Sequence, residues 1–342
     1  MKAWAMVTAI AAAVLLAGCA AGDERTLLRA DEAKPAPVRV GVALNYLEDP
    51  FFVAIYEGVR SEATRLGVQL TVRSVTSNAE FAGQATQLRA LVAEGHDCYV
   101  VNPITSTNLV AALRGVTRPI VNVDSPLDAA AAKRADVHLA TYIGTDDFES
   151  GTLAGQEMAA LLPDGGDVAL LGGIATNVNS GIRLSGFESG IRGSRVRVVT
   201  QVNAEYNRTK AQIATARILR AYPRLSGFFA VSDSMTLGIS DALRGLGRNG
   251  RIKVVGHDGT AEALADIEEG SVSADVSQYP YVMGQMAIEA CVAAARGARL
   301  PARVDAPITL LTKGNVARAI EDFPKPFERY SDPFSPLLRR SG

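Results

Sequence analysis

A chain of 342 residues is long enough for two domains with separate cores. With 48% hydrophobic and 21% charged residues it has the balance of a globular protein, not of a disordered chain or a bundle of membrane spans. A formal net charge of −1 leaves no basic footprint for nucleic acid.

The first residues, MKAWAMVTAIAAAVLLAGC, join the positive Lys2 to an apolar run over residues 3–16. That run is too short and wrongly flanked for a membrane span and has the pattern of a secretory signal. Its end, LAGC at residues 16–19, resembles the bacterial lipobox. The resemblance implies a lipoprotein signal peptide over 1–18, cleavage before Cys19 and lipidation of the Cys19 thiol; the plain alternative is a signal whose cysteine is incidental. A lipid anchor at Cys19 would hold the protein in the cell envelope, extracytoplasmic, in the periplasm or on the outer face of the cytoplasmic membrane. Residues 19–37 carry charges, two prolines and no sustained apolar period, which predicts a flexible spacer.

From Val38 the pattern alternates between short apolar runs and helical periods. VRVGVAL predicts a strand, and residues 51–66 a helix with Ile55, Val59, Ala63 and Leu66 on one face, ended by Gly67. VQLTVRS is the next strand, followed by a helix carrying Phe81, Ala85, Leu88 and Val92 that stops at Gly95. DCYVVNP, a short helix near 106–114, PIVNVD and VHLATYIG complete a first run. The rhythm restarts after Asp146, with helices at 149–162, 180–192, 208–221, 234–246 and 260–269. They alternate with the strands DVALLGG, RVRVVTQ, GFFAVSD, RIKVVGHD and VSADVSQ. Repeated strand–helix units predict an α/β protein of two doubly wound parallel-sheet lobes. Ligands of such sheets gather beyond the carboxyl ends of the strands.

Cys98 falls in the strand CYVVN, and Cys291 shares an apolar helical face with Met283, Met286, Ala287, Ala290 and Ala294. Export permits a disulfide, but the apolar surroundings favour two free, buried thiols. The three histidines lie far apart and no cysteine or histidine has metal-site spacing, so neither a metal nor a cofactor is expected. The end of the chain, residues 317–342, holds four prolines and little periodicity; it is expected as a C-terminal extension, surface-packed or without fixed structure, and has no assigned role.

Several predicted strands end in a polar tip: Asn45, Asn102, Asp124 with Ser125, Ser232, Asp258 and Gln278. Capping of the following helix accounts for about half of them. Together they describe a cleft rimmed by carboxylates and amides, suited to a ligand with many hydroxyls. Phe51 and Phe52, beside Asp49 at a helix start, add an apolar face for the C–H side of a sugar ring.

The motifs DPFFVAIYEGVRSEATRLG, VVNP, VNVDS, GIRLSGFESGI, AVSDSMTLGISDAL, VVGHDGTAEALADIEEG and VSADVSQYPYVMGQMAIE, in this order, resemble the ribose-binding-protein group of periplasmic sugar-binding proteins. The resemblance runs from about Val38 to Asn315. It implies the type I periplasmic-binding fold, with two lobes joined by a three-stranded hinge near Gly144, Gln278 and Pro307. The N-terminal lobe would hold 38–144 plus 279–306, and the C-terminal lobe 145–278 plus 307–316. It implies ligand contacts at Asn45, Asp49, Phe51, Phe52, Asp124, Ser125, Arg183, Tyr206, Ser232, Asp258 and Gln278, and capture by hinge closure. Its partners would be a monosaccharide or polyol and an ABC permease, and the protein a monomer. Ribose binders carry arginines where this chain has Ser125 and Gly181, and an asparagine where it has Ser232, so two guanidinium forks are missing and ribose is not singled out. A polyol such as inositol, or another aldose, fits equally well. Trp4 lies in the signal, so stacking falls to Phe or Tyr, unlike glucose/galactose binders.

An enzyme is disfavoured: no G-x-G-x-x-G follows a strand, and His257-Asp258 beside serines lacks a nucleophile elbow. His257 is expected at a strand end, lining the rim. A ligand-presenting sensor for a chemoreceptor or histidine kinase remains an alternative to an importer component. A sugar-responsive repressor needs an N-terminal DNA-binding motif where this chain has a signal and a spacer.

Overall fold

Strand β1, Arg39–Ala43, leads into a loop closed by Asp49, whose side chain caps helix α1, Pro50–Leu66, by accepting from the Phe51 N–H. Proline at the first helical position needs no N–H there, and Gly67 ends the helix in the left-handed region at φ 67°, where a side chain would be strained. The computed structural model describes residues 36–338; Cys19, the signal over 1–18 and most of the spacer lie outside the described residues.

The chain continues through β2 (Gln69–Arg73), α2 (Phe81–Glu94), β3 (Cys98–Val101), β4 (Ile120–Val123), α3 (Ala129–Arg134) and β5 (Thr141–Gly144). Next come α4 (Asp147–Leu161), β6 (Gly166–Gly172), α5 (Val178–Gly190), β7 (Val196–Asn203), α6 (Arg208–Ala221) and β8 (Gly227–Ala230). They are followed by α7 (Asp233–Gly245), β9 (Lys253–Asp258), α8 (Ala261–Glu269), β10 (Ala274–Ser277) and α9 (Pro280–Ala295). The last elements are β11 (Arg303–Asp305), β12 (Thr309–Thr312), α10 (Val316–Asp322) and α11 (Ser335–Leu338).

Two six-stranded sheets result, ordered β11-β5-β4-β3-β1-β2 and β12-β10-β9-β8-β6-β7. Every pairing is parallel except β12 against β10. Each sheet is covered by helices, so its strands are apolar on both faces, as in β3 and β8, where every residue is buried. The chain leaves the first sheet after Gly144, returns after Ser277, and leaves again between Asp305 and Thr309. This is the two-lobed α/β fold with a three-stranded hinge.

Three expectations need correction. The helix near 106–114 is only a 3-10 turn at Val110–Ala112, and α3 forms unforeseen in an alanine run capped by Asp128. Cys98 and Cys291 are not free thiols but a disulfide, with Cα atoms 5.5 Å apart. Strand β3 lies directly beneath α9, and this packing brings together two buried sulfurs 193 residues apart in sequence. The tail has fixed structure as well. Helix α10 packs on α8 and β12, Phe327 rests on the second-lobe core, and Phe334 is fully buried in the first-lobe core with Leu337 and Leu338 packed against it. The tail thus runs back from the second lobe to the first.

Closing so long a loop constrains the unfolded chain, so the Cys98→Ser/Cys291→Ser variant is expected to lose roughly 2–5 kcal/mol of stability in urea denaturation. The wild-type pair should show no reactive thiol when denatured without reductant; two titratable thiols in that assay would contradict the bond.

Candidate functional site

The carboxyl ends of both sheets converge on one narrow cavity. The eleven ligand contacts implied by the resemblance all line it: Asn45, Asp49, Phe51, Phe52, Asp124 and Ser125 on the first lobe, Arg183, Tyr206, Ser232 and Asp258 on the second, and Gln278 at the crossover; the strand tip Asn102 is not in the lining and is buried behind Asp124. Asn177 and Asn179 also line it, as do Tyr46, Asn78, Ile104 and Ile174, which no strand-tip signal marked. Tyr46 was legible only as an aromatic beside Asn45. Asn78 and the two isoleucines sit in loops without periodicity.

On the first lobe, the cap that starts α1 also fixes the aromatic wall. With Asp49 holding the Phe51 N–H at 2.9 Å, the Phe51 and Phe52 rings stand edge-to-face, 5.3 Å apart at 84°. The Tyr46 ring lies 5.7 Å from Phe52, and its hydroxyl donates to Asp49 Oδ2 at 3.1 Å. Asp124 follows β4 in the left-handed region at φ 60°. Its Oδ2 accepts from Asn102 Nδ2 at 3.0 Å and from Ser125 Oγ at 3.2 Å, and its carbonyl accepts from the Tyr142 hydroxyl at 2.5 Å. Those bonds hold a backbone conformation that is unfavourable for a non-glycine residue, so the carboxylate direction is set in advance.

On the second lobe, Arg183 is buried on α5. Its Nε donates to Asp147 Oδ1 at 2.7 Å, Nη1 to the Val231 carbonyl at 3.0 Å and Nη2 to Gln278 Oε1 at 3.3 Å. Asp258, at the end of β9, accepts from the Asp233 N–H at 3.0 Å and from Gln278 Nε2 at 2.7 Å. The Tyr206 hydroxyl donates to Asn177 Oδ1 at 3.0 Å. Ser232 begins α7 without capping it, and its hydroxyl oxygen, buried in the cavity wall, has no hydrogen-bond partner among the described residues. His257 does not line the rim as expected; it is fully buried behind Asp258, between Asp258 Oδ1 at 3.1 Å and Ser150 Oγ at 3.0 Å. Burial, then the Arg183 charge, holds its pKa well below the ordinary imidazole value, so it is neutral.

The lobes also touch across the cavity. Ser234 Oγ donates to Asp49 Oδ2 at 2.9 Å, Asn179 Nδ2 to the Asp124 carbonyl at 3.3 Å, and Asn78 Nδ2 to the Glu205 carbonyl at 3.0 Å. Burial pushes the cavity carboxyls upward. Asp124 reaches about 6 through burial and the charges of Asp147 and Asp258, against the pull of Arg183. Asp258 reaches about 6 through burial, again opposed by Arg183. Asp49 is raised by burial and by Asp258. A layer deeper, Asp233 and Asp275 are both buried; burial raises both carboxyls, the charge of Asp275 adding at Asp233, while Asp233 Oδ2 accepts from Thr260 N–H and Oγ1 at 2.7 and 2.8 Å. Chemically, the cavity offers fixed carboxylates and amides for hydroxyl donors and acceptors, and aromatic faces for ring C–H groups.

A model of the periplasmic binding protein domain matches residues 40–299, and the chain belongs to that family. It is 28% identical over 302 residues to the ribose import binding protein of Bacillus subtilis, covering 87% of this chain and 95% of the relative. It is 27% identical over 270 residues to the D-allose-binding periplasmic protein of Escherichia coli, covering 78% and 87%. Among solved structures, a Mycobacterium smegmatis ABC transporter solute-binding protein with bound glycerol has a TM-score of 0.76 at 28% identity, covering 83% of this chain and 97% of that one. An Actinobacillus succinogenes solute-binding protein with bound D-allose shares the fold at a TM-score of 0.78 and 24% identity, covering 82% and 99%.

The Asp233–Asp275 pair yields a pH prediction. Burial pushes Asp275 up to about 7 and holds Asp233 well above the ordinary carboxyl value. The folded state therefore keeps protons that the unfolded chain gives up near pH 4, and the pair's contribution to stability falls as pH rises from about 4 to 7. Asp275→Asn is expected to be more stable than wild type at pH 8, by on the order of 1–3 kcal/mol, with the gain shrinking at pH 5. Thermal unfolding across that range reads it; a pH-independent difference would contradict the raised pKa of the pair.

Proposed function

We propose that the protein is the extracytoplasmic receptor of an ABC importer, capturing a monosaccharide or polyol between its lobes and delivering it to a membrane permease. The observation that carries this reading is the convergence of polar strand tips from two separate sheets, with an aromatic wall, on one cavity spanned by inter-lobe hydrogen bonds. Only a ligand gripped from both sides is favoured by closure over the open arrangement, and its differential affinity drives the hinge. The family match and relatives named for ribose and allose support the same class. Within it, Asp124 and Asp258 take hydroxyls from opposite lobes, Asn45, Ser125, Ser232 and Gln278 complete the polar rim, and Phe51, Phe52 and Tyr206 cover ring faces. The receptor acts as a monomer, held to the membrane by a lipid on Cys19.

A thermal-shift screen of pentoses, hexoses, inositols and sugar alcohols tests the reading, since a ligand of the folded state raises Tm by mass action. At least one small polyol is expected to shift melting; none doing so would remove the reading's support. Asp124→Ala and Asp258→Ala should each weaken the bound ligand at least tenfold, on the order of 1.5–3 kcal/mol for a charge-assisted hydrogen bond, while folding is retained.

Localisation has its own test. Cys19→Ser should move the protein out of the membrane fraction, and persistent membrane association of that variant would contradict the anchor.

A further inference from the structure

The charge inside the cavity is unbalanced. Asp49, Asp124 and Asp258 line it, and among the described residues Arg183 is the only lysine or arginine that does. Arg183 already spends its charge on a fourth carboxylate, Asp147, at 2.7 Å and on Asp258 at 3.9 Å, its other bonds going to Val231 and Gln278, so Asp49 and Asp124 are left without an ion-pair partner among the described residues. Four buried carboxylates thus face one guanidinium, and burying unpaired charge is costly.

The three cavity carboxylates are not equally occupied. Both oxygens of Asp49 are taken, by the Phe51 N–H and by the Tyr46 and Ser234 hydroxyls. Both oxygens of Asp258 are taken, by the Asp233 N–H and by Gln278. At Asp124 the donors Asn102 and Ser125 both go to Oδ2, and no donor among the described residues reaches Oδ1. This carboxylate is only 7% exposed and borders the cavity. The hydroxyl oxygen of Ser232, also without a partner, lies in the wall supplied by the other lobe.

We infer that the ligand is a cationic polyol, an amino sugar or aminocyclitol, whose ammonium group is held by Asp124 Oδ1 while its hydroxyls meet the remaining polar rim. The inference rests on the polyol reading above and narrows it. An ammonium can donate to Asp124 at full charge assistance and lowers the repulsion among Asp49, Asp124 and Asp258, whereas a neutral hydroxyl at the same place leaves that repulsion standing.

The test is a calorimetric and thermal-shift comparison of matched pairs on the intact folded protein at pH 7.5: D-glucose with D-glucosamine, D-galactose with D-galactosamine, D-mannose with D-mannosamine, and scyllo-inositol with its mono-amino derivative. Each amine is also compared with its N-acetyl form. At least one amine is expected to bind tenfold or more tightly than both its hydroxyl parent and its N-acetyl form. Asp124→Asn should abolish that preference by weakening the amine at least tenfold more than its neutral parent; Glu149→Gln, at an exposed acid outside the cavity, should leave the preference intact. Neutral polyols binding as tightly as, or more tightly than, every amine would overturn the inference and leave the polyol reading standing. An amine preference that survives Asp124→Asn would overturn the assignment of the ammonium to that carboxylate. If neither amines nor parents bind, the polyol reading fails and this inference with it.

Discussion

The buried guanidinium of Arg183 is the interaction on which the cleft depends. Its donors reach Asp147 at the start of α4, the Val231 carbonyl just past β8, and Gln278 where the chain crosses back to the first lobe. One side chain therefore ties together the first crossover, a central strand of the second sheet and the second crossover. Thr145 adds a bond from the first crossover to Gln278 at 3.1 Å. Burying an ion pair at this depth costs several kcal/mol of desolvation, which the Coulombic attraction and the added hydrogen bonds offset only if the geometry is kept. What the arrangement supplies is position. Gln278 is held so that its amide nitrogen meets Asp258, and Asp258 is held facing the cavity.

Each lobe is stiffened separately from the hinge. In the first, the Cys98–Cys291 disulfide fastens α9 onto β3, and α1 packs against α9 where Gly58 and Gly284 bring the two backbones together. Any side chain at either glycine would meet the opposing backbone, so this crossing tolerates no Cβ. The C-terminal tail inserts Phe334 into the same core after α10 has packed on the second lobe. If the lobes move, packed cores of this kind favour motion at the crossovers over deformation within a lobe. Rigid lobes matter for recognition: a carboxylate preset by the left-handed backbone of Asp124 loses little freedom on meeting a ligand.

Most of the architecture was legible because it rests on local rules. Helical periods, glycine stops and apolar runs located the major helices and strands to within a few residues, and polar residues at strand ends marked the positions that the parallel topology gathers at one cavity. The family resemblance then ordered those tips across two sheets, which periodicity alone cannot do. What escaped is non-local. Whether Cys98 and Cys291 bond depends on a strand and a helix 193 residues apart meeting face to face, and both residues look equally natural as small buried hydrophobes. Helix α3 has an alanine run and no apolar stripe, so only its Asp128 cap carried information. Phe334 sits among prolines, without a period to reveal that it fills a core far away in sequence. His257 was placed at the rim by its neighbour Asp258, but alternation along β9 turns the two side chains in opposite directions, one into the cavity and one behind it.

The cavity carboxylates are divided between the lobes. Asp49 and Asp124 belong to the first lobe and Asp258 to the second, so bringing the lobes together brings like charges together in a buried space. Their raised pKa values record that conflict: burial is the largest cause for each, and the charge of Asp258 is felt at both Asp49 and Asp124. The direct inter-lobe bonds, such as Ser234 to Asp49, favour closure, while the carboxylates oppose it. A closure equilibrium balanced between these terms would respond to a ligand that bonds both lobes at once, because such a ligand stabilises only the closed arrangement. In the proposed receptor, the negative cavity would then serve both as the recognition element and as a restraint on closure without ligand.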